Sequence, residues 1–302
     1  MSVPEKPAPV PTTAAVELEF RGRPVRRDSA LVMAIVNRTP DSFYDRGATY
    51  AFDQALAAVD TAVAEGADIV DVGGVKAGPG SDVDVAEEIR RVVPFVAAVR
   101  ARHPDLVISV DTWRAEVGRQ ACAEGADLIN DTWQAADPHL AEVAAEFGAG
   151  YVCSHTGGAV PRTRPHRVHY ADVVADVVRE VTEKAARLVT LGVPREGILV
   201  DPTHDFGKNT WHGLELLRRV RELTSGEWPV LMALSNKDFI GETLGAALRD
   251  RVDGTLAATA VAAWEGAAVF RAHEVRRTRQ VLDMVASIRG TRPPAECVRG
   301  LA

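Results

Sequence analysis

Seven polar residues stand just beyond short apolar runs of the chain: Asn37, Asp111, Asn130, Asp201, Lys237, Arg271 and His273. As a set they have a chemical logic. Two carboxylates and an amide offer acceptors and donors to a flat heterocycle that carries an amino group and a ring N–H. Lys237, Arg271 and His273 suit an anion such as a phosphate. The side-chain oxygen of Asn37 is a reasonable Mg²⁺ ligand when phosphate oxygens and water complete the shell. Singly, Asp or Asn after a strand is often only the N-cap of the next helix. Lys, Arg and His do not cap N-termini, so the set is more than a row of caps. His155, His204 and His273 raise the question of zinc, but no pair has ligand spacing on one helix, which argues against it.

These residues need elements that deliver them to one place. Residues 31–36 (LVMAIV) are apolar without a break, too short for a helix, and fit a strand buried on both faces. The run stops at Asn37, Arg38 and Thr39. The same arrangement recurs, with strands expected over 68–72, 106–110, 127–129, 150–153, 197–200, 229–233 and 267–270. Helical periodicity fills the intervals at 51–65, 83–102, 114–124, 138–147, 171–191, 211–223, 256–265 and 275–288. Glu65-Gly66-Ala67-Asp68 and Glu124-Gly125-Ala126-Asp127 repeat a helix end, a glycine stop and a strand start. About eight such units make a single (β/α)8 barrel, whose strand ends converge on one mouth. A doubly wound sheet is the alternative. The glycine loop after Gly73 lacks the spacing of a dinucleotide fingerprint, which weakens it.

The chain has 302 residues, 46% of them hydrophobic and 25% charged, enough for a sizeable core in one α/β barrel. A net charge of −7 argues against a nucleic-acid-binding surface. No apolar run is long enough to span a bilayer, and the N-terminus lacks the apolar core of a secretory signal. Cys122, Cys153 and Cys297 lie far apart and read as incidental thiols of a cytoplasmic protein. Residues 1–15, Pro- and Ala-rich, are expected to be a disordered tail. The barrel domain is expected over 16–290, with 16–25 a hairpin closing its bottom, and 291–302 is expected to be a C-terminal tail.

Motifs in order along the chain resemble those of the dihydropteroate synthase family, over roughly residues 30–290. They are Asn37 with Thr39-Pro40-Asp41-Ser42-Phe43; Asp71-Val72-Gly73-Gly74; Ser109-Val110-Asp111-Thr112; Gly125 to Asp131; Asp201-Pro202 with Phe206-Gly207-Lys208; Ser235, Lys237 and Phe239-Ile240-Gly241; and Arg271 with His273. The resemblance implies a TIM barrel that condenses 6-hydroxymethyl-7,8-dihydropterin pyrophosphate with p-aminobenzoate and releases pyrophosphate. It implies that Asp111, Asn130, Asp201 and Lys237 hold the pterin, Asp111 and Lys237 serving catalysis as well. Asn37, Arg271 and His273 would hold pyrophosphate and Mg²⁺. Ser235 and Phe206 would face p-aminobenzoate or a sulfa analogue. A cytoplasmic homodimer is implied, with the C-terminal helix as its interface.

The chain departs from the family in its loops. Where the family reads Gly-Gly-Glu-Ser-Thr-Arg-Pro-Gly, this chain has Gly73-Gly74-Val75-Lys76-Ala77-Gly78-Pro79-Gly80. Arg38, Tyr44 and Arg46 alter the first loop, and Ser154 replaces a Met. Ser235-Asn236-Lys237 lacks the family's central Arg, and Thr203-His204-Asp205 replaces Gly-Ile-Gly. The pattern resembles a divergent second-paralogue group of the family, regarded as inactive. Weak or absent synthase activity over a retained pterin pocket is therefore expected. The alternatives are a fully active synthase, a non-catalytic pterin-binding protein, or a methyltetrahydrofolate-dependent enzyme. Methyl transfer has no need of the anion set Lys237, Arg271 and His273.

Overall fold

The computed structural model describes residues 18–25, 27–39, 51–80, 82–133, 135–162 and 169–298. The expected tail over 1–15 lies outside the described residues, as do residues 40–50 with Tyr44 and Arg46. A small hairpin, β1 (Leu18–Phe20) and β2 (Arg23–Val25), precedes an alternation of strand and helix. This runs β3 (Leu31–Asn37), α1 (Phe52–Ala64), β4 (Ile69–Gly73), α2 (Val85–Arg102), β5 (Val107–Asp111), α3 (Ala115–Ala123), β6 (Leu128–Asp131), α4 (Leu140–Phe147) and β7 (Gly150–Ser154). It continues with α5 (Val173–Thr190), β8 (Ile198–Asp201), α6 (Thr210–Arg218), α7 (Val220–Thr224), β9 (Leu231–Met232), α8 (Asp238–Leu244), α9 (Val252–Trp264), β10 (Val269–Ala272) and α10 (Val275–Arg289).

Eight parallel strands pair in the order β8-β7-β6-β5-β4-β3-β10-β9. A bridge between Val200 and Val230 brings β8 against the start of β9 and closes the ring. This is the expected TIM barrel. Alternation along each strand divides the apolar residues in two. Val32, Val36, Val70, Val72, Ile108, Val110 and Ile129 face the helices. Leu31, Met33, Ile69, Val107, Leu128, Val152, Leu199, Leu231 and Val269 fill the barrel's interior. Steps of two from this inner set lead to Asn37, Asp71, Ser109, Asp111, Asn130, Asp201, Arg271 and His273. Arg38 falls on the outer face, where its guanidinium lies 5.5 Å from the Phe52 ring and 5.0 Å from the Phe95 ring.

The hairpin plugs the barrel floor: Leu18 and Phe20 belong to the inner cluster. Phe20 lies so close to Gly150 that a Cβ there would meet its ring at 2.5 Å. The four-residue repeat also acquires a physical meaning. Gly66 and Gly125 end α1 and α3 with φ of 96° and 107°. The aspartate that follows each accepts a backbone N–H of the neighbouring strand, Val32 to Asp68 at 2.8 Å and Ile108 to Asp127 at 2.9 Å. Each also pairs with an arginine packed over the glycine, Arg279 and Arg100 respectively.

Several elements differ from expectation, the strand expected over 229–233 being only Leu231–Met232. The helix expected over 211–223 breaks at Arg219, whose guanidinium is drawn to Asp172 ahead of α5 and to Glu215 and Glu222. The stretch after Lys237, left without an element, forms the short helix α8, ended by Gly245 in the left-handed region. The last helix before β10 starts at Val252, earlier than its apolar pattern indicates. No helix among the described residues is long and apolar enough to cross a membrane.

Truncating the floor plug tests whether the hairpin is part of the core. Phe20→Ala should cost about 3–5 kcal/mol in urea denaturation, the usual size for a buried aromatic. A loss below about 1 kcal/mol, typical of surface changes, would contradict this placement.

Candidate active site

Asp71 lies in the middle of β4, fully buried on the inner face of the barrel. A carboxylate there needs partners, and it has three. Ser109 Oγ donates to it at 2.6 Å, Asn130 Nδ2 at 3.1 Å and Arg271 Nε at 2.6 Å. Arg271 reaches onward, donating from Nη2 to Asp111 at 2.9 Å, while Thr132 Oγ1 donates to the other Asp111 oxygen at 2.5 Å. One network thus ties β4, β5, β6 and β10 together across the mouth. Gly73 lies between two groups of the mouth: a Cβ there would stand in ordinary contact with Asn37 Oδ1 at 3.7 Å and Asp111 Oδ2 at 3.8 Å.

Asn130 keeps one group in reserve. Its Oδ1 is buried and has no partner among the described residues, and neither has Ser154 Oγ. Buried acceptors in this state suit a bound donor. Asp201 accepts the Thr203 N–H at 2.7 Å. Burial pushes the Asp201 carboxyl up to about 6, against the opposing pull of the Thr203 N–H and Lys237. Burial raises Asp111 to about 6 as well, with Arg271 opposing and Asp71 assisting. Both remain mostly ionised at neutral pH. Ser235 Oγ lies 2.9 Å from His273 Nδ1 and accepts the His273 backbone N–H at 3.2 Å, which leaves its proton for the ring. Burial, then Arg271 and Lys237, lower His273 to about 3, so the ring is neutral.

Lys237, at the N-cap of α8, forms an ion pair with Asp205 at 2.5 Å. Asp205 rides on a strained turn: Thr203, β-branched, has φ of 50°. Lys208 holds that turn from beneath, its Nζ within 2.9 Å of the His155 carbonyl and 3.1 Å of the Thr203 and Phe206 carbonyls. Burial lowers Lys208 to about 7. Lys208 also lies 2.9 Å from His155 Nδ1, and His155 Nε2 faces Asp176 at 3.1 Å. His155, Asp176 and Glu180 lie close enough to share an ion. Donation from Lys208 to Nδ1 leaves the proton on Nε2, however, and Arg179 and Lys184 already pair with the two carboxylates. As it stands the cluster is a charge network of His155, Asp176, Glu180, Arg179 and Lys184. Both ring nitrogens of His204 are buried without a partner among the described residues, and the ring stacks on Phe239.

The expected pterin residues Asp111, Asn130, Asp201 and Lys237 share the mouth with Asn37, Arg271, His273 and Ser235. Phe206 is set apart. It is 8% exposed, and the Trp133 ring covers it at 4.4 Å in an edge contact, with Ala159 and Ala77 packed alongside. Asn236 points into the protein with φ of 57°, its N–H donating to Thr255 at 3.0 Å. Pattern reading takes Asp71 and Lys208 only as parts of motifs, with no role at the site, and does not single out Trp133 at all. A lone aspartate on the inner face of a buried strand is the signal that would have found the first.

A closed parallel barrel with carboxylates, an amide and basic groups gathered at the carboxyl ends of its strands defines a small-molecule site of the barrel-enzyme type. A family model described as pterin binding enzyme matches residues 33–273. A Mycobacterium leprae protein named inactive dihydropteroate synthase 2 is 66% identical over 285 residues, covering 93% of this chain and 98% of that one. The dihydropteroate synthase of Escherichia coli is 38% identical over 255 residues, covering 84% and 90%. The solved structure of Xanthomonas albilineans dihydropteroate synthase with 4-aminobenzoic acid superposes with a TM-score of 0.82 at 36% identity, covering 91% of this chain and 98% of that one. The chain belongs to the pterin binding enzyme family and, within it, is a homologue of dihydropteroate synthase.

Removing Asp71 leaves Arg271 buried without its nearer counter-ion. Asp71→Ala should destabilise the fold by about 3–5 kcal/mol, the usual cost of breaking a buried pair. An unchanged urea midpoint would show that Arg271 is held by other means.

Proposed function

We propose that this chain retains a pterin-binding floor and performs dihydropteroate synthesis weakly or not at all. The observation that carries the reading is the contrast between the two halves of the site. On one side, Asn130 Oδ1 is buried without a partner beside Asp111 and Asp201, matching the amino and ring N–H donors of a pterin. On the other, Trp133 and Ala77 pack over Phe206, the residue expected to face p-aminobenzoate.

Condensation requires the amine of one substrate to meet the methylene of the other as pyrophosphate leaves. Asp111 and Asp201 would favour the cationic methylene that forms, and Arg271 and His273 would receive the departing anion. Asn37 Oδ1, an uncharged oxygen ligand close to Gly73, would suit a Mg²⁺ held mainly by phosphate oxygens and water. When bound, the ion would supply charge to the leaving group. Arg271 is already engaged by Asp71 and Asp111, so it must partly exchange partners to act. Lys76 does not reproduce the planar fork of an arginine in the second loop.

The same proposal includes a cytoplasmic homodimer. Helices α9 and α10 pack side by side and expose Val261, Trp264, Met284 and Ile288. An apolar face of this kind suits a second copy of the chain. Light scattering should give a dimer, and Trp264→Lys should shift it to monomer; a monomeric parent chain would contradict this.

Turnover is tested by pyrophosphate release with both substrates present. The rate should fall at least about a hundredfold below that of an ordinary synthase, the cost of a small misplacement. Installing Ser, Thr and Arg at Lys76, Ala77 and Gly78 should raise it. Ordinary turnover by the unmodified chain would overturn the reading. Pterin binding should also depend on pH. Asp111 and Asp201 are carboxylates above about 6 and lose their charge below it. Affinity measured by fluorescence quenching should therefore be flat above neutral pH and weaken as the pH falls through that value. Constant affinity into acid would exclude these carboxylates as ligands.

A further inference from the structure

Three consecutive strands of the barrel bring a polar residue to its inner face: Asn130 on β6, Ser154 on β7 and Asp201 on β8. On β7, Tyr151 and Cys153 pack against the helices while Val152 fills the interior, so alternation turns Ser154 inward. Its register partner on β8 is Asp201, and Asn130 on β6 pairs with Val152, two residues earlier on β7. Ser154 is 1% exposed, and its Oγ has no hydrogen-bond partner among the described residues. A serine hydroxyl usually turns to a nearby backbone group, so both its donor and its acceptor role standing open is a feature of this site. Its neighbours offer acceptors. Asn130 gives its amide N–H to Asp71 and leaves Oδ1 for a ligand, while Asp201, already holding the Thr203 N–H, has only acceptor oxygens when ionised. The Met that Ser154 replaces has no donor to offer.

We propose that Ser154 is a further ligand-binding residue of this pocket, donating its Oγ–H to a ring nitrogen of the bound heterocycle. The proposal rests on the pterin-pocket reading and deepens it. The ligand class is a ring in which an unprotonated nitrogen stands next to an amino donor. A pterin has this pair in its 2-amino group and N1. The amino group meets the acceptors of Asn130 or Asp201, and the adjacent nitrogen meets the hydroxyl between them. In the free protein that hydroxyl is withdrawn from water and unpaired, which is unfavourable. The bound ring supplies the missing partner.

The test pairs urea denaturation of the free protein with titration of 6-hydroxymethylpterin, followed by its fluorescence. Ser154→Ala should leave the urea midpoint unchanged or raise it, because the hydroxyl has no partner to lose. The same variant should bind the pterin about tenfold more weakly, the size expected when a buried acceptor is left unpaired. Ser154→Cys keeps a side chain of similar bulk with a weaker donor, so it should also bind more weakly than the parent chain, which separates hydrogen bonding from space filling. Unchanged pterin affinity in Ser154→Ala, parental affinity in Ser154→Cys, or a lowered urea midpoint in Ser154→Ala would overturn the proposal while leaving the pterin reading intact. Failure of the parent chain to bind the pterin would overturn both.

Discussion

The mouth of this barrel is organised by the pairing of Arg271 with Asp71. Asp71 is fully buried, and such a charge persists only with a counter-ion and hydrogen bonds close at hand. Arg271 supplies the charge, while Ser109 and Asn130 supply donors. These bonds in turn fix the ligand-facing groups. Asn130 spends its amide N–H on Asp71, which turns its carbonyl oxygen free for a ligand. Arg271 spends its second arm on Asp111, fixing that carboxylate at the centre of the mouth. One buried ion pair therefore sets the orientation of most of the floor.

The rest of the architecture serves that floor. Inner-face apolar residues fill the barrel up to the layer of Asp71, and the hairpin residues Leu18 and Phe20 seal the other end. The turn after β8 is held by a different device, the buried Nζ of Lys208 donating to the Thr203 and Phe206 carbonyls. That turn carries Asp205 towards Lys237 and Phe206 under Trp133. Floor and turn meet at Asp201, which accepts the Thr203 N–H, and at Lys237, which pairs with Asp205.

Much of this was legible in the chain because strand alternation is a local property. The break from apolar run to polar residue located Asn37, Asp111, Asn130, Asp201, Arg271 and His273, and a barrel necessarily gathers strand ends. Asp71, noted only within a motif, was given no role because it sits inside its strand rather than past the end. Contacts between distant segments were not legible: Trp133 covering Phe206, and Asp205 reaching Lys237, depend on loop paths that no periodicity encodes. The same holds for α8, too short to show a helical repeat, and for Asn236, whose inward turn depends on Thr255 far along the chain.

The central claim is that a pterin lies on the floor built by Asp71 and Arg271. A crystal structure of the chain soaked with 6-hydroxymethylpterin addresses it most directly. The account predicts the ring in the mouth, with its donors on Asn130 Oδ1, Asp111 and Asp201, and with Arg271 still paired to Asp71. A pterin bound elsewhere, or an Arg271 swung away from Asp71 to make room for the ring, would contradict it.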